Sequence, residues 1–237
     1  MKVLQVDLNK DYSDVIREAV NILSYGGTIV YPTDTLYGLG ANALNDIAVR
    51  KIFRIKCRSF SKPLPMIVRD LYWVKNLAEI KPYHEKMLKK IWPLGEGSNG
   101  RGPTKWDAQK VGISVGKVTV VLTKKEIVPD ALTAEFNSVG IRIPDYIFTD
   151  NLLTKFGYPL TSTSANVSGQ VPTNDINKII EIFSKSTLKP DLVIDAGILP
   201  KSEPSMIIDL TGKKLKILRI SPTKPEKLLK LLELGGE

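Results

Sequence analysis

Two short polar segments carry the side chains best suited to hold an anion. The first is Lys56-Cys57-Arg58, at the end of a helical pattern, with Lys62 four residues beyond Arg58. The second is Thr161-Ser162-Thr163-Ser164-Ala165-Asn166-Val167-Ser168-Gly169, which follows a short apolar run. Hydroxyls and amides donate to phosphate or carboxylate oxygens and accept from amines and sugar hydroxyls. Each segment also has an ordinary reading. Basic residues at a helix C-terminus are stabilised by the helix dipole, and Ser/Thr side chains close turns. The hydroxyls, though, are denser than a turn requires, and they would supply the partner that a phosphate site built on Lys56 and Arg58 needs.

A third polar loop, Thr33-Asp34-Thr35-Leu36-Tyr37-Gly38, directly follows a strand, where open-sheet proteins often bind ligands. Taken alone it reads first as a capped turn, and Gly38-x-Gly40 beyond it suggests a backbone bend. Arg142 interrupts the apolar run Val139–Ile143 on the face opposite Ile141 and Ile143, and Arg219 interrupts Ile217–Ile220 in the same way. A guanidinium inside a strand lies on a wet face or holds an anion.

Other chemistries are excluded. His84 is the only histidine and Cys57 the only cysteine, so neither a Cys-rich zinc site nor a two-histidine metal site is possible. No Gly-x-Ser-x-Gly elbow accompanies His84, which reads as a surface helix position; Cys57 reads as an incidental thiol. The Gly95–Gly102 stretch lacks the Lys-Ser/Thr of a phosphate loop and has no strand leading into it.

The elements that must position these groups alternate along the chain. Strands are expected at 3–8, 28–31, 64–68, 118–122, 139–143, 160–162, 192–195, 206–210 and 215–220. Helices are expected at 11–25, 46–56, 81–92, 146–156, 175–183 and near the C-terminus at 223–234. This mixture is α/β. The 237 residues and 43% hydrophobic content suit one domain, with a core at about 12–220. The net charge of +9 fits either anionic partners or a Lys-rich surface. Neither a signal peptide nor a membrane span is legible, so the expected location is cytoplasmic.

Read together, these segments resemble the YrdC/Sua5 family of threonylcarbamoyl-AMP synthases. The family pairs Lys-x-Arg with Ser-x-Asn, here Lys56-Cys57-Arg58 and Ser164-Ala165-Asn166. Around them stand Tyr31-Pro32-Thr33-Asp34-Thr35-Leu36-Tyr37-Gly38-Leu39-Gly40, Lys62-Pro63-Leu64, Trp92-Pro93, Val139-Gly140-Ile141-Arg142-Ile143-Pro144 and Glu203–Leu210. The resemblance implies a twisted mixed sheet with flanking helices around a concave basic pocket. It also implies condensation of L-threonine, bicarbonate and ATP, with Mg²⁺ on the polyphosphate. A downstream transferase would pass the product to a tRNA adenosine beside the anticodon. By it, Lys56, Arg58, Ser164 and Asn166 would be catalytic. These four, with Lys62, Ser138 and Arg219, would bind ATP, and Thr35, Arg142, Ser162 and Ser205 would bind threonine. The alternative is a module that binds tRNA or double-stranded RNA through its phosphates, without chemistry. The related carbamoyl-adenylate chemistry of hydrogenase-maturation proteins goes with zinc-type motifs that one cysteine cannot supply.

The sequence departs from the family pattern in two places. Met206 stands where the family has Thr, and residues 94–115 separate Trp92-Pro93 from the strand at 118, reading as a Gly-rich insertion. If that insertion is a surface loop dispensable for folding, deleting it leaves a soluble protein with a cooperative unfolding transition; an insoluble or unfolded product contradicts the reading.

Overall fold

The computed structural model describes residues 1–92, 117–212 and 215–220. The expected insertion and C-terminal helix lie outside them. The expected α/β class holds, its mixed pairing divided between two sheets. The first runs β1 (Lys2–Gln5), β9 (Leu192–Asp195), β2 (Ile29–Tyr31), β3 (Gly38–Gly40), β8 (Thr163–Ser164). The second runs β11 (Lys216–Arg219), β10 (Met206–Asp209), β5 (Val118–Thr123), β6 (Ser138–Arg142), β4 (Met66–Ile67), β7 (Leu160–Thr161). Parallel and antiparallel pairs occur in both.

Side-chain alternation explains why the first sheet is covered on both faces. Ile29 and Tyr31 of β2, with Leu192 and Ile194 of β9, pack against α1 (Ser13–Ser24) and α6 (Ile147–Phe156) through Ile16, Ala19, Leu23, Phe148 and Leu152. Val30 and Val193, one residue out of phase, face the other way. They join a larger core with Met66, Val120, Ile141 and Ile208 of the second sheet. The two sheets therefore share one interior. α2 (Asp46–Ile55), α3 (Leu71–Leu77), α4 (Pro82–Ile91) and α7 (Ile176–Ser184) add apolar residues to it.

The end of α2 matters most for function. Asn45 caps its start, its side chain accepting from the Ala48 N–H at 3.0 Å. At its other end Cys57 N–H donates to the Arg54 carbonyl and Arg58 N–H to the Phe53 carbonyl, the paired bonds of a Schellman turn. Cys57 takes the left-handed conformation, at φ 50°. This reverses the chain and separates Lys56, buried, from Arg58, half-exposed. The Cys57 thiol is exposed.

Some expectations need correcting. α3 was not expected from the sequence: its aromatic and β-branched residues favour strand, but the Asp70 side chain accepts from the Trp73 N–H at 3.1 Å and starts a helix. The short α5 (Asp130–Thr133) was also unexpected. His84 is not a surface residue. At the third position of α4 its Nδ1 accepts from the Lys81 N–H at 3.3 Å, and the folded-back ring is 3% exposed. Burial, reinforced by the charge of Lys81, lowers its pKa.

Gly38 and Gly40 lie in a strand rather than a bend, and they make room for a neighbouring side chain. The Tyr31 ring lies across both, and a methyl group at Gly40 would sit 2.6 Å from its Cε1. Gly40→Ala should thus lower stability by about 1–3 kcal/mol, read as an earlier urea midpoint. An unchanged midpoint would mean that the ring has room to move.

Candidate active site

Among the described elements the chain changes sheet between β3 and β4, between β7 and β8, and between β9 and β10, and the β7–β8 crossing takes a single residue. β7 belongs to the second sheet and β8 to the first, so Ser162 lies between them. Its N–H donates to the Pro65 carbonyl at 2.8 Å. The hydroxyl-rich segment is therefore a tight seam between the sheets, and most of the functional candidates form three groups.

The first group forms around Lys56, which is 2% exposed. Its ammonium donates to the Ser164 carbonyl at 2.5 Å, the Asn166 carbonyl at 2.7 Å and Asn166 Oδ1 at 3.2 Å. An ammonium has three hydrogens, and all three meet this loop. The contact is reciprocal, since the Ser168 N–H donates to the Lys56 carbonyl at 2.8 Å. Ser164 Oγ donates to Asn166 Oδ1 at 2.6 Å, and Asn166 Nδ2 donates to the carbonyls of Val167 and Gln170. The loop's shape is thus built on Lys56 and Asn166. Arg58 points outward, and its Nε and Nη2 donate to the carbonyls of Lys62 and Pro63. A guanidinium has five N–H groups, so these two bonds fix its plane and leave donors to spare. Lys62 itself is exposed.

The second group surrounds Arg142 at the end of β6. Arg142 is 6% exposed; its Nη2 donates to Asp34 Oδ2 at 2.5 Å and its Nη1 to Thr35 Oγ1 at 3.5 Å. Thr33 braces the loop by donating to the Leu36 carbonyl at 2.5 Å and accepting from the Thr35 N–H at 3.1 Å. Burial raises the Asp34 carboxyl above its usual range, with Arg142 pulling the other way. Arg142, Ser162 and Asp34 all act on the buried Tyr31 hydroxyl, whose pKa is raised chiefly by desolvation. Ser162 therefore belongs to this group.

Arg219 and Ser205 form the third group. The Arg219 guanidinium donates to the Ser205 carbonyl at 2.8 Å and to its Oγ at 3.0 Å. Partial burial, then the charge of Arg142, lowers the Arg219 pKa, which places these two cations within electrostatic reach. Ser138 stands apart, at the opposite end of β6 from Arg142. Met206 points into the hydrophobic core, 3% exposed, so a hydroxyl there would face away from Ser205. Thr119 of β5 supplies one instead, with Oγ1 3.2 Å from Ser205 Oγ. Thr119 and Asp34 were not singled out from the sequence. Thr119 could have been found as the polar residue between buried Val118 and Val120; Asp34 was legible only as part of a turn.

The profile of the Sua5/YciO/YrdC family, described as telomere recombination, matches residues 21–95 and 103–221. The chain belongs to this family. The match is interrupted only at 96–102, inside the expected insertion. A Methanocaldococcus jannaschii protein, provisionally named threonylcarbamoyl-AMP synthase, is 34% identical over 92% of this chain and 92% of its own length. The Coxiella burnetii threonylcarbamoyl-AMP synthase is 30% identical over 87% of this chain and 99% of that one. The crystal structure of Pyrococcus abyssi Sua5 complexed with L-threonine aligns with a TM-score of 0.81 at 28% identity. It covers 98% of this chain, which spans 61% of that longer Sua5 chain.

Burial, and secondarily the charge of Arg58, lowers the Lys56 pKa from 10.5 to about 8. Between those values the unfolded chain binds more protons than the folded one, so this residue's contribution to stability rises with pH. The stability of the natural protein relative to Lys56→Met should therefore grow by about 2–3 kcal/mol from neutral pH to ~10, measured by urea unfolding. Parallel pH profiles would mean that the ammonium is not desolvated.

Proposed function

We infer that this chain is a threonylcarbamoyl-AMP synthase working in the cytoplasm. It joins L-threonine, bicarbonate and ATP into threonylcarbamoyl-AMP and pyrophosphate for modification of a tRNA adenosine, which a separate transferase completes. The observation that carries this reading is the seam itself: a loop held by Lys56 and Asn166 beside a buried Arg142–Asp34 pair, in a chain matched almost end to end by proteins of that name. Those names favour the enzyme over the RNA-binding module.

The amino acid's nitrogen forms a carbamate with the bicarbonate carbon. A carbamate oxygen then attacks the α-phosphorus of ATP, and pyrophosphate leaves. Such transfers depend on positioning and charge neutralisation more than on a protein nucleophile. Arg142 and Thr35, with Ser162 and Ser205, are assigned to the amino acid, with Arg142 placed to hold its carboxylate. Arg58, Lys62 and Arg219 are assigned to the phosphates. Ser164, Asn166 and Ser138 complete the nucleotide side, and Lys56 acts by holding Ser164 and Asn166 in place.

Among the described residues no group of three His, Cys, Asp or Glu side chains could hold a metal. The donors around the phosphate side are cations, hydroxyls and an amide, which do not make a resident Mg²⁺ site. Magnesium therefore belongs to the substrate, arriving on the ATP polyphosphate. No helix among the described residues is long and apolar enough to cross a membrane.

Pyrophosphate release should require threonine, bicarbonate and ATP together; release that persists without threonine would refute the reading. Arg58→Ala should abolish release without moving the unfolding midpoint. Asn166→Ala should abolish release and cost about 1–3 kcal/mol of stability as well, because it strips partners from buried groups. Thr35→Ala should raise the threonine requirement more than that for ATP, and the opposite pattern would mean that the two half-sites are exchanged.

A further inference from the structure

We propose that Asp34 is a catalytic residue whose Oδ1 binds the ammonium of the amino-acid substrate and takes the proton that must leave before the nitrogen can attack. The proposal rests on the synthase reading above and deepens it at the same site.

Asp34 is held from one side only. Oδ2 accepts from Arg142, and the side chain is 11% exposed. Oδ1 is buried and accepts no hydrogen bond among the described residues. A buried acceptor left unpaired is costly, the more so on a charged group, so the site suits a ligand that brings its own donor. The loop itself is fixed, since the Ser202 hydroxyl donates to the Asp34 carbonyl at 3.1 Å and Thr33 closes the turn. Arg142 lies against Asp34 and Thr35 together. An α-amino acid whose carboxylate meets Arg142 would thus bring its ammonium beside a carboxylate.

The surroundings suit proton transfer. The ionisable groups facing Asp34 are Arg142 at the end of β6, Lys117 just before β5, Tyr31 of β2 and Tyr146 just before α6. Both tyrosines have raised pKa values and stay protonated. Burial makes the Asp34 carboxylate more basic than an exposed one. The Lys56 ammonium is committed to the 164–166 loop, and the remaining Lys, Arg, Ser, Thr and Asn side chains assigned to the site do not accept a proton readily near neutral pH.

The step balances without any further reactant. The substrate ammonium gives one proton to Asp34, and the nitrogen lone pair forms the N–C bond to bicarbonate. The C–OH bond breaks, and the leaving hydroxide takes a second nitrogen proton as water. One hydrogen remains on the carbamate nitrogen, and the Asp34 proton passes to solvent.

Asp34→Asn keeps the shape and an oxygen for Arg142 but cannot take the proton. Calorimetry on the full chain would compare L-threonine with (R)-3-hydroxybutanoate, which is threonine without its amine. The natural protein should prefer threonine by about 30-fold, and Asp34→Asn by less than about 3-fold. Equal binding by the natural protein, or a preference kept in the variant, would overturn the ammonium contact. Pyrophosphate release by Asp34→Asn should fall about 100-fold near neutral pH. It should then recover about tenfold per pH unit as the free amine loses its own proton. A loss of the same size at every pH would overturn the proton transfer. If the natural protein shows the binding preference but releases no pyrophosphate, the ammonium contact stands and the synthase reading fails.

Discussion

A buried cation organises this protein. Removing the Lys56 ammonium from water is expensive, and three oxygens of one loop offset that cost. The arrangement works only if the end of α2 and the 164–166 loop meet in one register. This explains why the chain reverses so sharply at Cys57. The turn leaves Lys56 facing inward toward the loop while Arg58 leaves the helix toward solvent. Two basic residues two positions apart thus have different surroundings, one enclosed by the loop and one half-exposed.

The second charged pair has a different character. The Arg142 and Asp34 side chains are both largely buried, but the Asp34 carboxylate is less fully satisfied than the Lys56 ammonium. Half of the Asp34 carboxylate is unpaired among the described residues. A fully satisfied buried network rigidifies, whereas a partly satisfied one retains capacity for a ligand. Lys56 and Asp34 thus differ in how far their hydrogen-bonding capacity is met, a difference that residue type alone does not reveal.

Much of this was legible in the sequence because the signals were local. α2 was readable from Ala48, Val49, Ile52 and Phe53, and β9 was found with its exact ends from its apolar run. Residue chemistry suggested the 161–169 segment as a partner for Lys56 and Arg58, but the specific pairing with Ser164 and Asn166 was legible only through resemblance, since more than a hundred residues separate them. The errors came where tertiary contacts override local preference. The Tyr31 ring turned an apparent bend at Gly38 and Gly40 into a strand, and a side-chain cap buried His84. Asp34 looked like a turn-former because its partner, Arg142, is 108 positions away.

The position of Ser162 has a mechanical consequence. The β7–β8 crossing is made in this one residue, and the candidate site draws Thr35 and Ser164 from the first sheet's side and Arg142, Ser205 and Arg219 from the second. A ligand that touches both groups acts as an additional tie between the sheets, beside the chain crossings and the shared core. Its binding energy then opposes sliding of one sheet against the other, so occupancy stiffens the molecule as a whole rather than a single loop.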